Sequence, residues 1–214
     1  MKTQTPITHV SFDLGGTLAR ENSDYRHVHD ELRYQTYSEA VHKPLTDEVR
    51  REFDAQYQKH GTSSAVFQSL GFPSDYWQLH FNTLDRSKFY FFDPIILETI
   101  LKLKEIVPLS IFSTIKKDAV YQTLKLVKLK PEYLRFIIFG DDTKARKPDL
   151  EGFYLIVSKA QTKPQNILYV GDRVSADIIP AHKVGMQTCL MWGSAPEADY
   201  CFDDFSQILK LISN

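Results

Sequence analysis

The sequence predicts an α/β protein with a doubly wound parallel sheet and a small helical domain inserted near the amino terminus. Short β-rich runs without polar alternation recur along the chain, which indicates strands that are covered on both faces. Helical patterns lie between these runs, and strands that alternate with helices are typical of a parallel sheet. The predicted strands are ITHVSFD, VPLSIFS, FIIFG, NILYVGD and MQTCLMW.

The helices between these strands are predicted from apolar residues at helical spacing. In DPIILETILKLKEI, the spacing places five residues on one side, namely Ile95, Ile96, Thr99, Ile100 and Leu103. KKDAVYQTLKLVKL and DLEGFYLIVSKAQ show the same pattern, and Asp149 is a candidate N-cap of the second. SADIIPAHKVG is a shorter helix, with Pro180 near its start and Gly185 at its end.

Residues 20–90 interrupt this alternation, because they contain no strong strand pattern. LTDEVRREFDAQYQKHG and SSAVFQSLG are predicted as helices, and aromatic residues are frequent throughout the segment. A structureless loop of this length is uncommon inside a compact domain. We therefore expect a helical cap domain at 20–90, and an α/β core formed by 1–19 and 91–214.

The composition argues against nucleic acid and membrane partners. Lys and Arg (26) nearly balance Asp and Glu (27), so neither a nucleic-acid surface nor a polybasic anchor is indicated. MKTQTPITHV lacks the apolar stretch of a signal peptide, and no run approaches the roughly 18–20 apolar residues that span a bilayer. Cys189 and Cys201 lack metal-ligand spacing. We expect a soluble cytoplasmic protein.

Polar side chains and glycines follow several predicted strands at the point where each strand ends. Because the carboxyl ends of parallel strands meet at one edge of the sheet, these residues should line one crevice. That crevice would contain carboxylates, hydroxyl groups and one cation. The residues are Asp13 with Gly15, Gly16 and Thr17; Ser113 with Thr114; Lys147; and Asp172 with Asp177.

This combination of groups suits phosphoryl chemistry on a small phosphorylated substrate. Carboxylates from separate strands form an oxygen-rich site for Mg²⁺. A metal ion, a lysine and hydroxyl or backbone donors stabilise charge on phosphoryl oxygens. Asp13 could attack phosphorus, and the adjacent glycines allow the backbone to approach the ligand closely.

The same residues resemble the motifs of the haloacid dehalogenase superfamily, most of whose members are Mg²⁺-dependent phosphatases. The resemblance covers nearly the whole chain except the insertion, and the family's core is Rossmann-like with a cap. The first motif, Asp-x-Asp-x-Thr, matches Asp13 and Thr17 but has Gly15 at the second Asp. The later motifs match Ser113, then Lys147 before Pro148, then Gly171 and Asp172 with Asp177 downstream.

The resemblance implies a role for each matched residue. Asp13 would be the nucleophile that becomes an aspartyl phosphate, and Lys147 would neutralise the nucleophile and the phosphate. Ser113 would hydrogen-bond the phosphoryl group, with Gly16, Thr17 and Thr114 in the same binding loops. Asp13, Asp172 and the backbone carbonyl of Gly15 would hold Mg²⁺, and Asp177 would ligate or support it.

Gly15 departs from the phosphatase pattern, because family phosphatases use an acid there to protonate the leaving group and activate water. Glycine keeps the backbone carbonyl but cannot transfer a proton, and such catalysis is typically worth about 10²–10⁴-fold. Good leaving groups, such as acyl or aryl phosphates, should then be favoured. His27 or His29 of the insertion could substitute as the acid.

Three alternatives stay open at this point. A dehalogenase would attack carbon and need no Mg²⁺, although Asp172 and Asp177 argue against it. A phosphonate hydrolase would need a Schiff-base lysine from the cap. The candidates for that lysine are Lys43, Lys59 and Lys88. A noncatalytic member of the family would bind a phosphometabolite or a protein, and the absence of an acid at position 15 is its main support.

Overall fold

The structure is a computed structural model that describes residues 5–212. Its strands are β1 (His9–Phe12), β2 (Arg20–Glu21), β3 (Tyr90–Phe91), β4 (Leu109–Phe112), β5 (Phe136–Ile138), β6 (Ile167–Gly171), β7 (Gln187–Met191) and β8 (Tyr200–Phe202). Its α-helices are α1 (Ser23–Ala40), α2 (Asp47–His60), α3 (Ser63–Ser69), α4 (Tyr76–Phe81), α5 (Pro94–Leu103), α6 (Lys117–Leu126), α7 (Glu151–Ala160), α8 (Ile179–Val184) and α9 (Leu209–Ile212).

The main sheet has six parallel strands in the order β5-β4-β1-β6-β7-β8. This confirms the predicted parallel α/β architecture, and the five predicted strands are all present. The sequence prediction missed the edge strand β8, which is only three residues long. It also missed that SADIIPAHKVG is not one helix, because a π-helical turn (Val174–Ile178) precedes α8.

Helices cover both faces of the sheet, and each face has its own hydrophobic cluster. On one face, Val10 and Phe12 of β1 belong to the same cluster as Ile100 of α5 and Leu124 of α6. On the other face, the clustered residues come from β4, β5, β6, α7 and α8. Because the sheet is enclosed on both sides, polar groups on its central strands are buried.

The start of α7 and the end of α8 lie close to their predicted positions. The N-cap position of α7 is Leu150, so Asp149 lies one residue earlier than expected. Its Oδ1 nevertheless accepts a hydrogen bond from the Glu151 backbone N–H at 2.8 Å, which satisfies a free donor at the helix start. Gly185 ends α8 with a φ of 92°, as expected for a left-handed cap.

The chain divides into two compact units, formed by residues 1–20 with 90–214 and by residues 21–89. The boundaries predicted from the sequence, 19/20 and 90/91, each lie one residue away from these. The second unit, called the helical unit below, contains α1 to α4 around Phe53, Phe67 and Trp77. The sequence analysis predicted α2 and α3 but not α1 or α4. Between residues 5 and 212, no helix combines the length and the hydropathy that a membrane crossing requires.

His9 is buried at the amino end of β1. A buried histidine at this position should make the stability of the fold depend on pH. Its Nε2 lies 2.8 Å from Ser110 Oγ, and its ring stacks on Phe136. Burial, and to a smaller extent the positive charge of Arg135, lowers the pKa of His9 to about 4. Between pH 4 and 6.5 the unfolded chain therefore binds a proton at His9 that the folded chain does not bind.

We expect the free energy of unfolding to fall by about 3 kcal/mol as the pH is lowered from 6.5 to 4, as follows from the lowered pKa of His9. Urea denaturation at several pH values measures this slope. His9→Gln should flatten the slope over this window, whereas His42→Asn should not, because His42 is exposed and its positive φ suits Asn. Equal slopes for the wild type and His9→Gln would contradict the assignment.

Candidate active site

Asp13 lies at the carboxyl end of β1, the strand between β4 and β6 in the sheet. Its backbone N–H donates to the Val170 carbonyl at 2.9 Å, which extends the sheet by one residue and fixes the backbone there. The Asp13 side chain is only 6% exposed. The sheet therefore holds a carboxylate in a largely water-free position, which is costly unless a cation compensates it.

Lys147 supplies that compensation. Its Nζ donates to Asp13 Oδ1 at 2.6 Å and to Asp177 Oδ1 at 2.8 Å, and its side chain is 1% exposed. The rings of Phe112 and Tyr169 lie 4.7 and 5.3 Å from Nζ, at distances where an aromatic face stabilises a cation. One buried ammonium group thus bridges two buried carboxylates.

Asp177 is fully buried in the π-helical turn that follows β6, and several donors hold it. Tyr169 donates its hydroxyl to Oδ1 at 3.4 Å, and the Arg173 backbone N–H donates to Oδ2 at 3.2 Å. Residue 171 has to be glycine, because a Cβ at that position would clash with the Asp177 side chain. Both oxygens of Asp177 therefore already accept hydrogen bonds from the protein.

Asp172 is held by the turn that follows Asp13. Thr17 Oγ1 donates to Asp172 Oδ1 at 3.4 Å. Gly16 has a φ of 90°, and a Cβ there would clash with Asp172 Oδ2. The turn must carry glycine at position 16 both for its backbone conformation and for this close approach.

One carboxylate oxygen from each of Asp13, Asp172 and Asp177 lies within 4.8 Å of the other two. The structure therefore brings together three of the residues that the sequence analysis placed at a metal site. Asp13 Oδ2 is buried and has no hydrogen-bond partner. An unpartnered carboxylate oxygen beside a second carboxylate is the donor set that a hard divalent cation requires, so the residues present fit Mg²⁺.

The pKa values of the two carboxylates that share Lys147 are shifted in opposite directions. Burial raises the pKa of Asp13, and the opposing effect of the Lys147 charge does not fully offset it. Burial also acts to raise the pKa of Asp177, but Lys147 and Arg173 outweigh it and hold that pKa below its usual range. Burial, together with Asp177 and Asp13, raises the pKa of Tyr169, which therefore stays a hydroxyl donor.

Ser113 and Thr114 follow β4, the neighbour of β1. Ser113 is buried, its backbone N–H donates to the Ile138 carbonyl, and its Oγ accepts from the Ile115 backbone N–H at 3.5 Å. In the parallel register of β1 and β4, Ser113 stands one residue beyond the position opposite Asp13. The Thr114 carbonyl lies so close to Gly140 that a Cβ there would clash with it.

In the helical unit, two of the sequence candidates have partners that bear on their proposed roles. His29 Nδ1 lies 3.1 Å from Arg33, and because a guanidinium can only donate, Nδ1 must be the acceptor. Lys43 Nζ forms hydrogen bonds to Glu52 at 2.7 and 2.8 Å, which raise the pKa of the lysine. A Schiff-base lysine has to be neutral, so this pairing argues against Lys43 in that role.

Three residues that shape the site were not predicted from the sequence. Tyr169 is a buried hydroxyl on an otherwise apolar strand, and Arg173 lies between the motif residues Asp172 and Asp177. Trp192 follows β7, and its indole N–H donates to the Gly16 carbonyl at 3.0 Å. The only sequence signal for Trp192 is its position at a strand end, because it lies outside the matched motifs.

The site can be compared with known proteins. The family profile described as haloacid dehalogenase-like hydrolase matches residues 10–191. A HAD phosphatase from Thermococcus onnurineus is similar, with a TM-score of 0.66, 22% identity and coverage of 96% of this chain and 98% of that one. No curated protein matches the sequence significantly.

Two further solved structures have the same fold. A HAD hydrolase from Bacillus subtilis, solved with bound magnesium, has a TM-score of 0.63 at 18% identity and covers 98% of this chain and 100% of that one. A 2-haloacid dehalogenase from Pseudomonas syringae has a TM-score of 0.59 at 20% identity, with coverage of 97% and 98%. Structures with different activities thus share this architecture, so the reaction has to be argued from the site.

Proposed function

Because the chain belongs to the haloacid dehalogenase-like hydrolases, we propose that it is a Mg²⁺-dependent phosphatase. Its substrate would be a small phosphorylated metabolite, and its intermediate an aspartyl phosphate on Asp13. The observation that carries this proposal is the buried Lys147 ammonium between Asp13 and Asp177, beside an Asp13 oxygen that has no partner. This arrangement supplies a positioned nucleophile and a cation for phosphoryl oxygens.

Asp13 and Asp172, with the backbone carbonyl of Gly15, are the proposed Mg²⁺ ligands. Asp177 is better suited to a supporting role, because both its oxygens accept hydrogen bonds from Lys147, Tyr169 and Arg173. When bound, Mg²⁺ would neutralise charge on the phosphoryl oxygens and on the nucleophile.

In the proposed reaction, an Asp13 oxygen attacks phosphorus while the bond from phosphorus to the leaving-group oxygen breaks. Lys147 neutralises the nucleophile and the transferred group, and Ser113 with the loop of Gly16 and Thr17 would bind that group. Water then attacks the aspartyl phosphate at phosphorus, which releases inorganic phosphate and restores the carboxylate.

With glycine at position 15, the rate of hydrolysis would depend strongly on the leaving group of the substrate. The glycine has no side chain that could donate a proton to a departing alkoxide, so aryl and acyl phosphates should react much faster than alkyl phosphates. Such proton transfer is typically worth about 10²–10⁴-fold. The selectivity should therefore follow the pKa of the leaving group.

We expect Gly15→Asp to raise kcat/KM for alkyl phosphates by about 10²-fold or more, as general acid catalysis does, and to change aryl phosphate hydrolysis much less. The measurement is Mg²⁺-dependent phosphate release from matched aryl and alkyl esters. Ser74→Asp is the matched control, because it adds the same carboxylate at an exposed position of the helical unit.

Three outcomes would contradict the proposal in different ways. Hydrolysis of haloacids that persists in the presence of a chelator would indicate carbon attack and hence a dehalogenase. Borohydride trapping of a substrate on a lysine would indicate a phosphonate hydrolase. Binding of phosphate without turnover by the wild type or by Gly15→Asp would indicate a noncatalytic protein.

A further inference from the structure

Trp192 is held in an unusual conformation directly after β7. Its φ is 64°, in the left-handed region that bulky side chains rarely occupy. Such backbone strain persists only where surrounding contacts impose it, and it is concentrated at functional sites. The contact here is the hydrogen bond from the indole Nε1 to the Gly16 carbonyl, at 3.0 Å.

This bond orients the peptide group between Gly16 and Thr17. The C=O and N–H groups of a trans peptide point in opposite directions, so a fixed Gly16 carbonyl also fixes the direction of the Thr17 N–H. Both residues contact one carboxylate, since Gly16 packs against Asp172 Oδ2 and Thr17 Oγ1 donates to Asp172 Oδ1. The indole therefore acts on Asp172 through this peptide.

The indole ring is itself held by its neighbours. The Arg20 guanidinium lies 4.2 Å from the Trp192 ring centre and 5.2 Å from that of Phe91, and it forms an ion pair with Asp93 at 3.0 Å. The Phe205 ring stacks with Trp192 at a centroid distance of 6.3 Å. A ring held this way can fix the position of its N–H donor.

We propose that Trp192 is a positioning residue that orients Asp172 for metal binding through the Gly16–Thr17 peptide, with Arg20 holding the indole. The inference rests on the proposed function only in taking Asp172 as a metal ligand. In this role Trp192 increases the affinity of the site for the metal but does not contact the reacting atoms.

The experiment compares Trp192→Phe, which keeps an aromatic ring and removes the N–H donor, with Trp77→Phe. Trp77 is the only other tryptophan and belongs to the hydrophobic cluster of the helical unit. The binding of Mn²⁺ to the wild type and to each variant, without substrate, is measured by electron paramagnetic resonance. Residues that orient metal ligands are typically worth about 10–100-fold in metal affinity. We expect a loss in that range for Trp192→Phe and none for Trp77→Phe.

Three further readouts separate positioning from a general loss of stability. At saturating Mg²⁺, kcat of Trp192→Phe should recover to within about threefold of the wild type, because the metal-bound state restores the ligand geometry. In the Trp77→Phe background Trp192 is the sole tryptophan, and its fluorescence should change along the Mg²⁺ titration. Arg20→Gln should weaken Mn²⁺ binding in the wild type and add little to Trp192→Phe, because both act through one ring.

Unchanged Mn²⁺ affinity in Trp192→Phe, with only a lower melting temperature, would overturn the inference and leave the proposed function intact. A reduced kcat at saturating metal with unchanged affinity would also overturn it. If the wild type binds no Mn²⁺ and hydrolyses no phosphate ester, the proposed function fails and this inference fails with it.

Discussion

Asp13→Asn is expected to abolish Mg²⁺-dependent phosphate ester hydrolysis, with a loss in kcat on the order of 10⁴-fold or more, as for other enzymes that lose a covalent nucleophile. The amide has nearly the same shape as the carboxylate but is a very poor nucleophile. It also removes one negative charge from the pair that shares Lys147. The measurement is steady-state hydrolysis of an aryl phosphate at saturating Mg²⁺.

The control for this substitution is Asp203→Asn, which makes the same change at an exposed position. It should leave kcat unchanged. Rapid quenching and mass spectrometry of the wild type should detect a phosphoryl adduct on the peptide that contains Asp13. Hydrolysis by Asp13→Asn at more than about a hundredth of the wild-type rate would exclude Asp13 as the nucleophile.

Lys147→Met is expected to lower both activity and stability, and the stability loss should be large. The lysine side chain is 1% exposed and is bonded to two buried carboxylates. Removing one partner from a buried ion pair typically costs about 3–5 kcal/mol, because the remaining charges are uncompensated. Urea denaturation at pH 7 measures the loss, and Lys144→Met, an exposed lysine of the same loop, is the matched control.

The stability loss in Lys147→Met should shrink as the pH is lowered. Lys147 acts to lower the pKa values of both Asp13 and Asp177, so both pKa values should be higher in the folded variant than in the folded wild type. As the pH falls, the folded variant therefore takes up protons before the folded wild type does, and the difference in stability between them narrows. A stability difference that is the same at pH 7 and pH 5 would show that lost packing, and not lost charge compensation, causes the effect.

The strand ends could be predicted from the sequence because local patterns carry the necessary information. Continuous apolar runs mark strands that are buried on both faces, and each run ends where a polar residue or glycine appears. Asp13, Ser113 and Asp172 all follow such runs. The parallel arrangement then requires these ends to lie at one edge of the sheet, so convergence could be expected without coordinates.

Other elements could not be predicted because their local signals are weak. β8 is three residues long and has no buried face of its own, since its burial pattern is intermediate throughout. α1 is an 18-residue helix with few buried residues, so its apolar periodicity is faint. Its N-cap, Asn22, which accepts from the Asp24 and Tyr25 backbone N–H groups, is the signal that could have identified it.

Local sequence patterns were sufficient to predict the α/β class, the parallel sheet and the set of acidic, hydroxyl and lysine residues at the strand ends. Each of these depends on residues close together in the chain. The pairing of Lys147 with both Asp13 and Asp177 is visible only in the folded chain, as is the hydrogen bond from Trp192 to the Gly16 carbonyl. Those contacts join residues 30 to 176 positions apart. These contacts depend on how distant strands and loops pack against one another, which no local pattern encodes.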